Sequence, residues 1–195
     1  MLSFAAEPCA NTSITQRPWC DTRISFWSRA LLLANALTPR EQVTQLSTYS
    51  FTKNHSGLNP GVTRLGLPEY NYHTEGLHGV RDSCDSPATL WPQVVGMAAT
   101  GNLSLIQEMG SFMGAGFRAA ANANRGKKLP SRGCGLSVYG PTMNIIRDPR
   151  WGRNQETVSE DPFLNGAYAA AIVHGVQGDD PTYLQVAFTC KHFTA

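Results

Sequence analysis

Met143-Asn144-Ile145-Ile146-Arg147-Asp148-Pro149-Arg150-Trp151-Gly152-Arg153-Asn154-Gln155-Glu156-Thr157, with Ser159-Glu160-Asp161-Pro162 directly behind it, is the densest concentration of chemistry in the chain. An apolar run that stops at Pro and Gly reads as a buried strand discharging into a loop. Arginines, an indole and carboxylates crowded at such a strand end suit a site for a polar, hydroxyl-rich molecule. Working outward, residues 136–146 read as a strand region interrupted by Gly140-Pro141. Downstream, Asp161 caps a helix with Pro162 at its first position, and the helix runs through Phe163, Ala167, Ala170, Ala171 and Val173 to Gly178. After a turn at Asp179-Asp180-Pro181, residues 184–190 read as a buried strand ending on Lys191-His192-Phe193.

Farther upstream the same alternation holds. Asn102 is placed to cap a helix whose apolar positions Leu103, Ile106, Met109, Met113 and Phe117 recur at three and four. Leu90-Trp91-Pro92 opens the apolar segment 94–99, and residues 69–75 form a β-prone run ending at Glu75 before Gly76 and Gly79 turn the chain. Residues 47–60, 82–87 and 122–132 read as loops, the last basic through Arg125, Lys127, Lys128 and Arg132. Thr38-Pro39-Arg40-Glu41 is a capping box that starts a short helix, and residues 26–37 carry Phe26, Trp27, Ala30, Leu33 and Leu37 at helical spacing, a stripe expected to pack. Residues 1–20 read as a tail and 21–195 as one domain. Strands that alternate with helices and deliver polar residues at their carboxyl ends imply a parallel α/β sheet with its site at those ends.

Composition narrows the ligand. The 195 residues are 42% hydrophobic and only 15% charged, with a net charge of +2. That balance gives no electrostatic reason for a nucleic-acid or membrane partner, and a neutral small molecule suits it better than a polyanion. Nothing aromatic interleaves the basic loop to stack bases. Leu31-Leu32-Leu33-Ala34 is too short to span a membrane. Cys9, Cys20, Cys84, Cys134 and Cys190 show no C-x-x-C spacing, which argues against a zinc site, and they are free to form two disulfides with one thiol left over, or none. Sequons at Asn11, Asn54 and Asn102 fit a secreted protein, although residues 1–10 show no basic region and apolar core of a leader.

Three strand ends carry the candidate site: Glu75 with His78, Arg153 with Tyr139, and the pair Lys191-His192. A carboxylate accepts hydrogen bonds from vicinal hydroxyls, Lys and Arg donate to sugar oxygens, and an aromatic ring covers the apolar face of a pyranose. Each has a bland alternative. Glu75 can pair with Arg81 or His78, and Arg147, Asp148 and Arg150 are expected to pair among themselves or with the surrounding wall. A metal reading of His73-Thr74-Glu75-Gly76-Leu77-His78 fails on its order, which is not H-E-x-x-H, and on Gly76, which weakens the helix that motif needs. No cofactor is implied.

Glu75-Gly76-Leu77-His78-Gly79-Val80, Trp91-Pro92-Gln93, residues 144–156, Glu160-Asp161-Pro162 and Lys191-His192-Phe193-Thr194-Ala195 together resemble the N-terminal barrel of family 3 glycoside hydrolases, nearest to the β-xylosidase branch, over residues 18–195. The resemblance implies a (β/α)8 TIM-like barrel of which about the first half is present, since a full barrel takes about 250 residues. It implies retaining hydrolysis of terminal β-D-xylosyl or β-D-glucosyl residues. Glu75 would grip hydroxyls at the non-reducing-end subsite, Tyr139 would be an aromatic wall, Arg153 the sugar-binding arginine, and Lys191 and His192 the pair holding ring hydroxyls. Glu75 stands where hexose-cleaving members have Asp, and His73 where the xylosidase branch often has Trp.

In that family the nucleophile is an Asp on a later strand and the acid/base usually lies in a second domain, so neither catalytic carboxylate falls among residues 1–195. Glu156, Glu160 and Asp161 match no catalytic role and read as structural. The family is secreted. Two alternatives remain: a non-catalytic or inactive carbohydrate-binding homologue, and an unrelated barrel binding phosphate, which lacks a Gly-rich loop at a helix start.

Overall fold

The computed structural model describes residues 9, 16–47, 57–80, 88–124 and 134–192. The chain divides into two compact units, residues 1–71 with 126–131 and residues 72–125 with 132–195.

Among the described residues, the first unit holds two α-helices and a two-stranded antiparallel ribbon. α1 (Phe26–Ala36) starts at Ser25, whose hydroxyl accepts from the Ser28 amide, and α2 (Pro39–Gln45) starts at the expected box, with Thr38 and Glu41 capping each other. Glu41 also pairs with Arg64. β1 (Leu58–Asn59) pairs with β2 (Tyr70–Asn71), so part of the expected 47–60 loop is strand. A disulfide joins Cys9 to Cys20 beside a 3-10 turn at Pro18–Cys20, which gives the expected tail a covalent tie. The α1 stripe departs from expectation: among the described residues α1 buries none, and Phe26 and Trp27 are 68% and 74% exposed. Apolar spacing alone does not say whether a partner surface is present.

The second unit is a parallel sheet in the order β3–β4–β5 with two long helices. β3 is Thr74–Glu75, β4 is Ser137–Thr142 and β5 is Ala187–Lys191. α3 (Val94–Ala98) and α4 (Leu103–Ala123) connect β3 to β4, and α5 (Pro162–Gln177) connects β4 to β5. Asn102 Oδ1 accepts from the Leu105 amide and Asp161 Oδ1 from the Phe163 amide, so both expected caps form. Ile106, Met109, Met113, Phe117 and Ala120 place the buried face of α4 against Tyr168, Ile172 and Val176 of α5 and against Val138 of β4. The helices approach closely where Gly110 meets Gly175: a Cβ on Gly110 would sit 2.8 Å from the Ile172 carbonyl oxygen.

Several boundaries differ from those read in the sequence. The β-prone run 69–75 splits between the two units, as β2 and β3. α4 runs on through Ala123, beyond the expected helix. β4 continues through Gly140-Pro141, absorbing them by a register shift between Tyr139 and Thr142. Residues 143–146 are not a strand. Their backbone is bonded elsewhere: the Met143 amide to the Lys191 carbonyl, the Met143 and Asn144 carbonyls to Asn165 Nδ2, and the Ile146 amide to the Ser159 carbonyl. β5 begins at Ala187, and its Ala187, Thr189 and Cys190 are exposed where full burial was expected, because among the described residues only β4 flanks it. The loops at 82–87 and 125–132, Arg81, Phe193 and the sequons at Asn11 and Asn54 lie outside the described residues.

Candidate functional site

The carboxyl ends of the three parallel strands bring the site together. Glu75 is the last residue of β3 and Lys191 the last of β5, on either side of β4. Lys191 Nζ donates to Glu75 Oε2 at 2.7 Å across 116 positions of sequence. Tyr139 is the Cα partner of Glu75 in the β3–β4 ladder, and the Gly76 amide donates to the Tyr139 carbonyl at 3.1 Å. Gly76 permits this approach, because a Cβ there would collide with Val138 Cγ1 and lie 2.7 Å from Phe117 Cζ.

The second carboxylate oxygen of Glu75 faces His73, whose Nε2 is 3.7 Å from Oε1. The His73 ring also packs on Tyr139, with centroids 5.4 Å apart and planes tilted by 35°. His73 and Tyr139 together wall one side of the carboxylate. Burial, and next the negative charge of Glu75, push the Tyr139 phenol above its ordinary value, so it stays a neutral donor.

Lys191 is followed by His192, which is held by Asn144. The Asn144 side-chain oxygen accepts from the His192 amide at 2.9 Å and lies 3.3 Å from Nδ1. Asn144 is fixed in turn by Asn165, a 2% exposed residue of α5 that donates to the Met143 and Asn144 carbonyls. Burial first, and then the charges of Arg153 and Lys191, hold the His192 imidazole below its usual value, which favours the neutral ring.

Arg153 precedes a 3-10 turn at Asn154–Glu156 and forks onto Glu156, with Nε–Oε1 at 2.7 Å and Nη2–Oε2 at 2.5 Å. The bond from Arg153 holds the Glu156 carboxyl below the usual range, reinforced by the charges of Arg153 and Lys191. Five polar groups, Glu75, Lys191, His192, Arg153 and Glu156, thus share one electrostatic neighbourhood. Arg150 pairs with Asp148 at 2.6 Å, and the Asp148 carbonyl accepts from Asn154 Nδ2, so this part of the motif pairs internally as expected.

The sequence-derived candidates Glu75, Tyr139, Lys191, His192 and Arg153 therefore converge, with Arg153 entering through Glu156. His78 does not join them: its Nδ1 is bonded to the Trp91 carbonyl at 2.8 Å, which ties the turn after β3 to the segment before α3. The feared pairing of Glu75 with His78 is replaced by Lys191 and His73. Sequence reading missed Asn144 and Asn165 as supports and left Glu156 without a partner. An Asn inside an apolar run and another on the buried face of a helix were the available signals, since a buried amide needs partners. Among the described residues no group of three His, Cys, Asp or Glu gathers as a metal site, and no helix is long and apolar enough to cross a membrane.

Residues 31–195 match the model of the glycosyl hydrolase family 3 N-terminal domain. The chain belongs to glycoside hydrolase family 3. This family 3 chain is 38% identical to Beta-D-xylosidase 3 of Arabidopsis thaliana, covering 98% of this chain and 24% of that protein. It is 36% identical to Beta-xylosidase/alpha-L-arabinofuranosidase 1 of Medicago sativa subsp. varia, with the same coverage of 98% and 24%. Among solved structures it resembles a GH3 exo-β-xylosidase in complex with a xylobiose aziridine activity-based probe, at a TM-score of 0.78 and 34% identity over 95% of this chain and 23% of that one. It also resembles β-glucosidase 3B from Thermotoga neapolitana in complex with α-D-glucose, at a TM-score of 0.62 and 29% identity over 84% of this chain and 22% of that one. The chain thus spans about a quarter of the length of the curated relatives it matches.

Proposed function

We propose that this family 3 chain forms the sugar-holding wall of an exo-acting, retaining β-D-xylosidase, with β-D-glucosides as the second substrate class. The observation that carries the reading is the Lys191–Glu75 bond at the carboxyl ends of β5 and β3, with Arg153 and His192 beside it. A terminal sugar would displace part of this bond. Its vicinal hydroxyls would donate to Glu75, its ring hydroxyl oxygens would accept from Lys191 and Arg153, and Tyr139 would cover an apolar face. Neutral His192 would accept or donate through the nitrogen turned away from Asn144. The sheet β3–β4–β5 is read as the opening part of a (β/α)8 barrel that begins near residue 21.

A retaining mechanism needs a nucleophilic carboxylate and an acid/base carboxyl about 5–5.5 Å apart. Glu75 is paired with Lys191 and Glu156 with Arg153, and in the family resemblance Glu75 matches a hydroxyl-binding position while Glu156 matches no catalytic one. The chain's own part is therefore to bind and orient, and the two catalytic carboxyls come from the remainder of a longer family 3 polypeptide. The xyloside preference rests on Glu75: a side chain one methylene longer than Asp narrows the space for a hexose hydroxymethyl group.

The test pairs binding with turnover. Titrating the chain with xylose, glucose and arabinose while recording amide chemical shifts should move Glu75, Tyr139 and Lys191, with xylose the tightest. The 195-residue chain should not hydrolyse an aryl β-xyloside. Normal enzymatic turnover by this chain alone would overturn the assignment of both catalytic carboxyls elsewhere. In a full-length family 3 protein carrying it, Arg153→Ala or Lys191→Ala should each lower kcat/KM by about 100-fold, from loss of roughly 2–3 kcal/mol of charge-assisted hydrogen bonding. Full-length protein that binds sugar and hydrolyses nothing would favour the carbohydrate-binding homologue instead.

A further inference from the structure

We propose that Asn165 is a positioning residue of the sugar site: through Asn144 it fixes His192 as the Nδ1–H tautomer, so that His192 presents a bare Nε2 that accepts a hydrogen bond from a hydroxyl. A sugar as the owner of that hydroxyl rests on the function proposed above; the tautomer does not.

The assignment starts from a group whose role is fixed. The backbone amide of His192 can only donate, and it lies 2.9 Å from Asn144 Oδ1, so the Asn144 side chain turns its oxygen and not its nitrogen toward His192. The same oxygen lies 3.3 Å from His192 Nδ1. An amide oxygen has no proton to give, so this second contact is a hydrogen bond only when Nδ1 carries the proton. In the neutral ring Nε2 is then the acceptor. Burial first, and then the charges of Arg153 and Lys191, favour that neutral ring against the opposing carboxylates of Glu156 and Glu75.

Asn165 decides where the Asn144 oxygen stands. It lies on the buried face of α5, and its Nδ2 donates to the Met143 carbonyl at 3.0 Å and to the Asn144 carbonyl at 3.3 Å. Two carbonyl acceptors fix the orientation of this amide as well. The two residues it holds follow β4 and reach both members of the Lys191-His192 pair: the Met143 amide donates to the Lys191 carbonyl, and Asn144 holds His192. Asn165 Oδ1 is buried with no hydrogen-bond partner among the described residues. An unpaired buried oxygen is destabilising, and an aliphatic side chain on this helix face would avoid that cost. What Asn165 supplies is a pair of donors aimed at the segment that carries the Lys191 and His192 contacts.

Neighbouring residues therefore take opposite parts. Lys191 Nζ only donates and His192 Nε2 only accepts. A substituent that meets His192 has to bring a proton, which a hydroxyl does and an ether, an O-methyl group or a fluorine does not. The wall thus selects a free hydroxyl at that position.

The experiment records proton–nitrogen correlation spectra of the histidine rings in the isotopically labelled chain at about pH 8, where an ordinary imidazole is neutral and its protonated and bare nitrogens resonate far apart. In the parent, His192 Nδ1 should be the protonated nitrogen and Nε2 the bare one. Asn165→Ala should convert the His192 ring to a mixture of tautomers and weaken xylose binding by about tenfold, the worth of one or two hydrogen bonds. Ile172→Val, a truncation of a buried side chain on the same helix, should leave both unchanged, which separates positioning from loss of packing. Asn144→Asp keeps an acceptor oxygen and should keep the parent tautomer, whereas Asn144→Ala should lose it. Should Asn165→Ala fail to fold, Asn165→Val takes its place, since it fills the space without donating. A bare Nδ1 in the parent, the parent tautomer retained in the Asn165 variant, or its loss in Asn144→Asp overturns the proposal and leaves the sugar-site reading standing. The expected tautomer with Nε2 unmoved by xylose, glucose and arabinose overturns the acceptor role and the sugar-site reading together.

Discussion

Replacing Lys191 with Met tests whether the Lys191–Glu75 bond is a structural tie as well as a site element. Methionine keeps an unbranched apolar stem and removes the ammonium. The two side chains are 11% and 25% exposed, and the bond is 2.7 Å long. Exposed pairs contribute about 0–1 kcal/mol, whereas losing one partner of a buried pair costs about 3–5 kcal/mol. The exposures lie nearer the buried limit, but Glu75 keeps His73 at 3.7 Å as a second neighbour. The expected cost is therefore about 2 kcal/mol, or a fall in Tm of roughly 4–8 °C for a chain of this size. Glu75→Gln should cost a similar amount, because it leaves the Lys191 ammonium without its carboxylate. The double variant should cost less than the sum by about 1–2 kcal/mol, since it leaves no stranded charge. Thermal melts by circular dichroism give the energies, and amide exchange in β3 and β5 assigns the loss to that unit. Additivity within about 0.3 kcal/mol would refute the reasoning.

Three further outcomes follow from the geometry. Gly76→Ala should destabilise by about 1–3 kcal/mol through overpacking against Val138 and Phe117 and should displace Glu75, while Gly166→Ala, in open space on α5, should be neutral or stabilising by up to about 1 kcal/mol; equal melting points would contradict this. Phe117→Ala, at a side chain only 1% exposed, should cost about 3–5 kcal/mol in urea unfolding, and a loss under about 1 kcal/mol would mean the core is packed differently. Acid should weaken the site in two stages of the same sign. His192 is held below its ordinary value, so from about pH 6.5 downward the unfolded chain binds a proton that the folded chain does not. Glu156 is held ionised by Arg153, so its contribution is complete above the ordinary Glu range near 4.3 and is lost as the pH falls through its lowered folded value. Stability that held flat from pH 7 to pH 4, or rose on acidification, would contradict both shifts.

Local signals were read with good accuracy. The caps at Thr38, Asn102 and Asp161, the buried stripe of α4 and the alternation of strand and helix depend on neighbours within a few residues, so the chain carries them openly. The same holds for the pairing of Asp148 with Arg150. The errors share a cause. Residues 143–146 have a strand's composition, yet Asn165 and Ser159 take their backbone groups, and neither is a sequence neighbour. β4 crosses Gly140-Pro141 because a register shift absorbs them, a property of the pairing with β5.

Residue types at the expected strand ends, together with the family resemblance, led to Glu75, Tyr139, Arg153, Lys191 and His192 as one proposed sugar-binding group. What only the tertiary structure decided is who faces whom. Lys191 reaches Glu75 rather than solvent, Arg153 is locked on Glu156, His78 turns away to the Trp91 carbonyl, and Asn144 aims His192. The physical reason is distance along the chain. A bond spanning 116 residues is set by strand register and helix packing, and no local pattern encodes it.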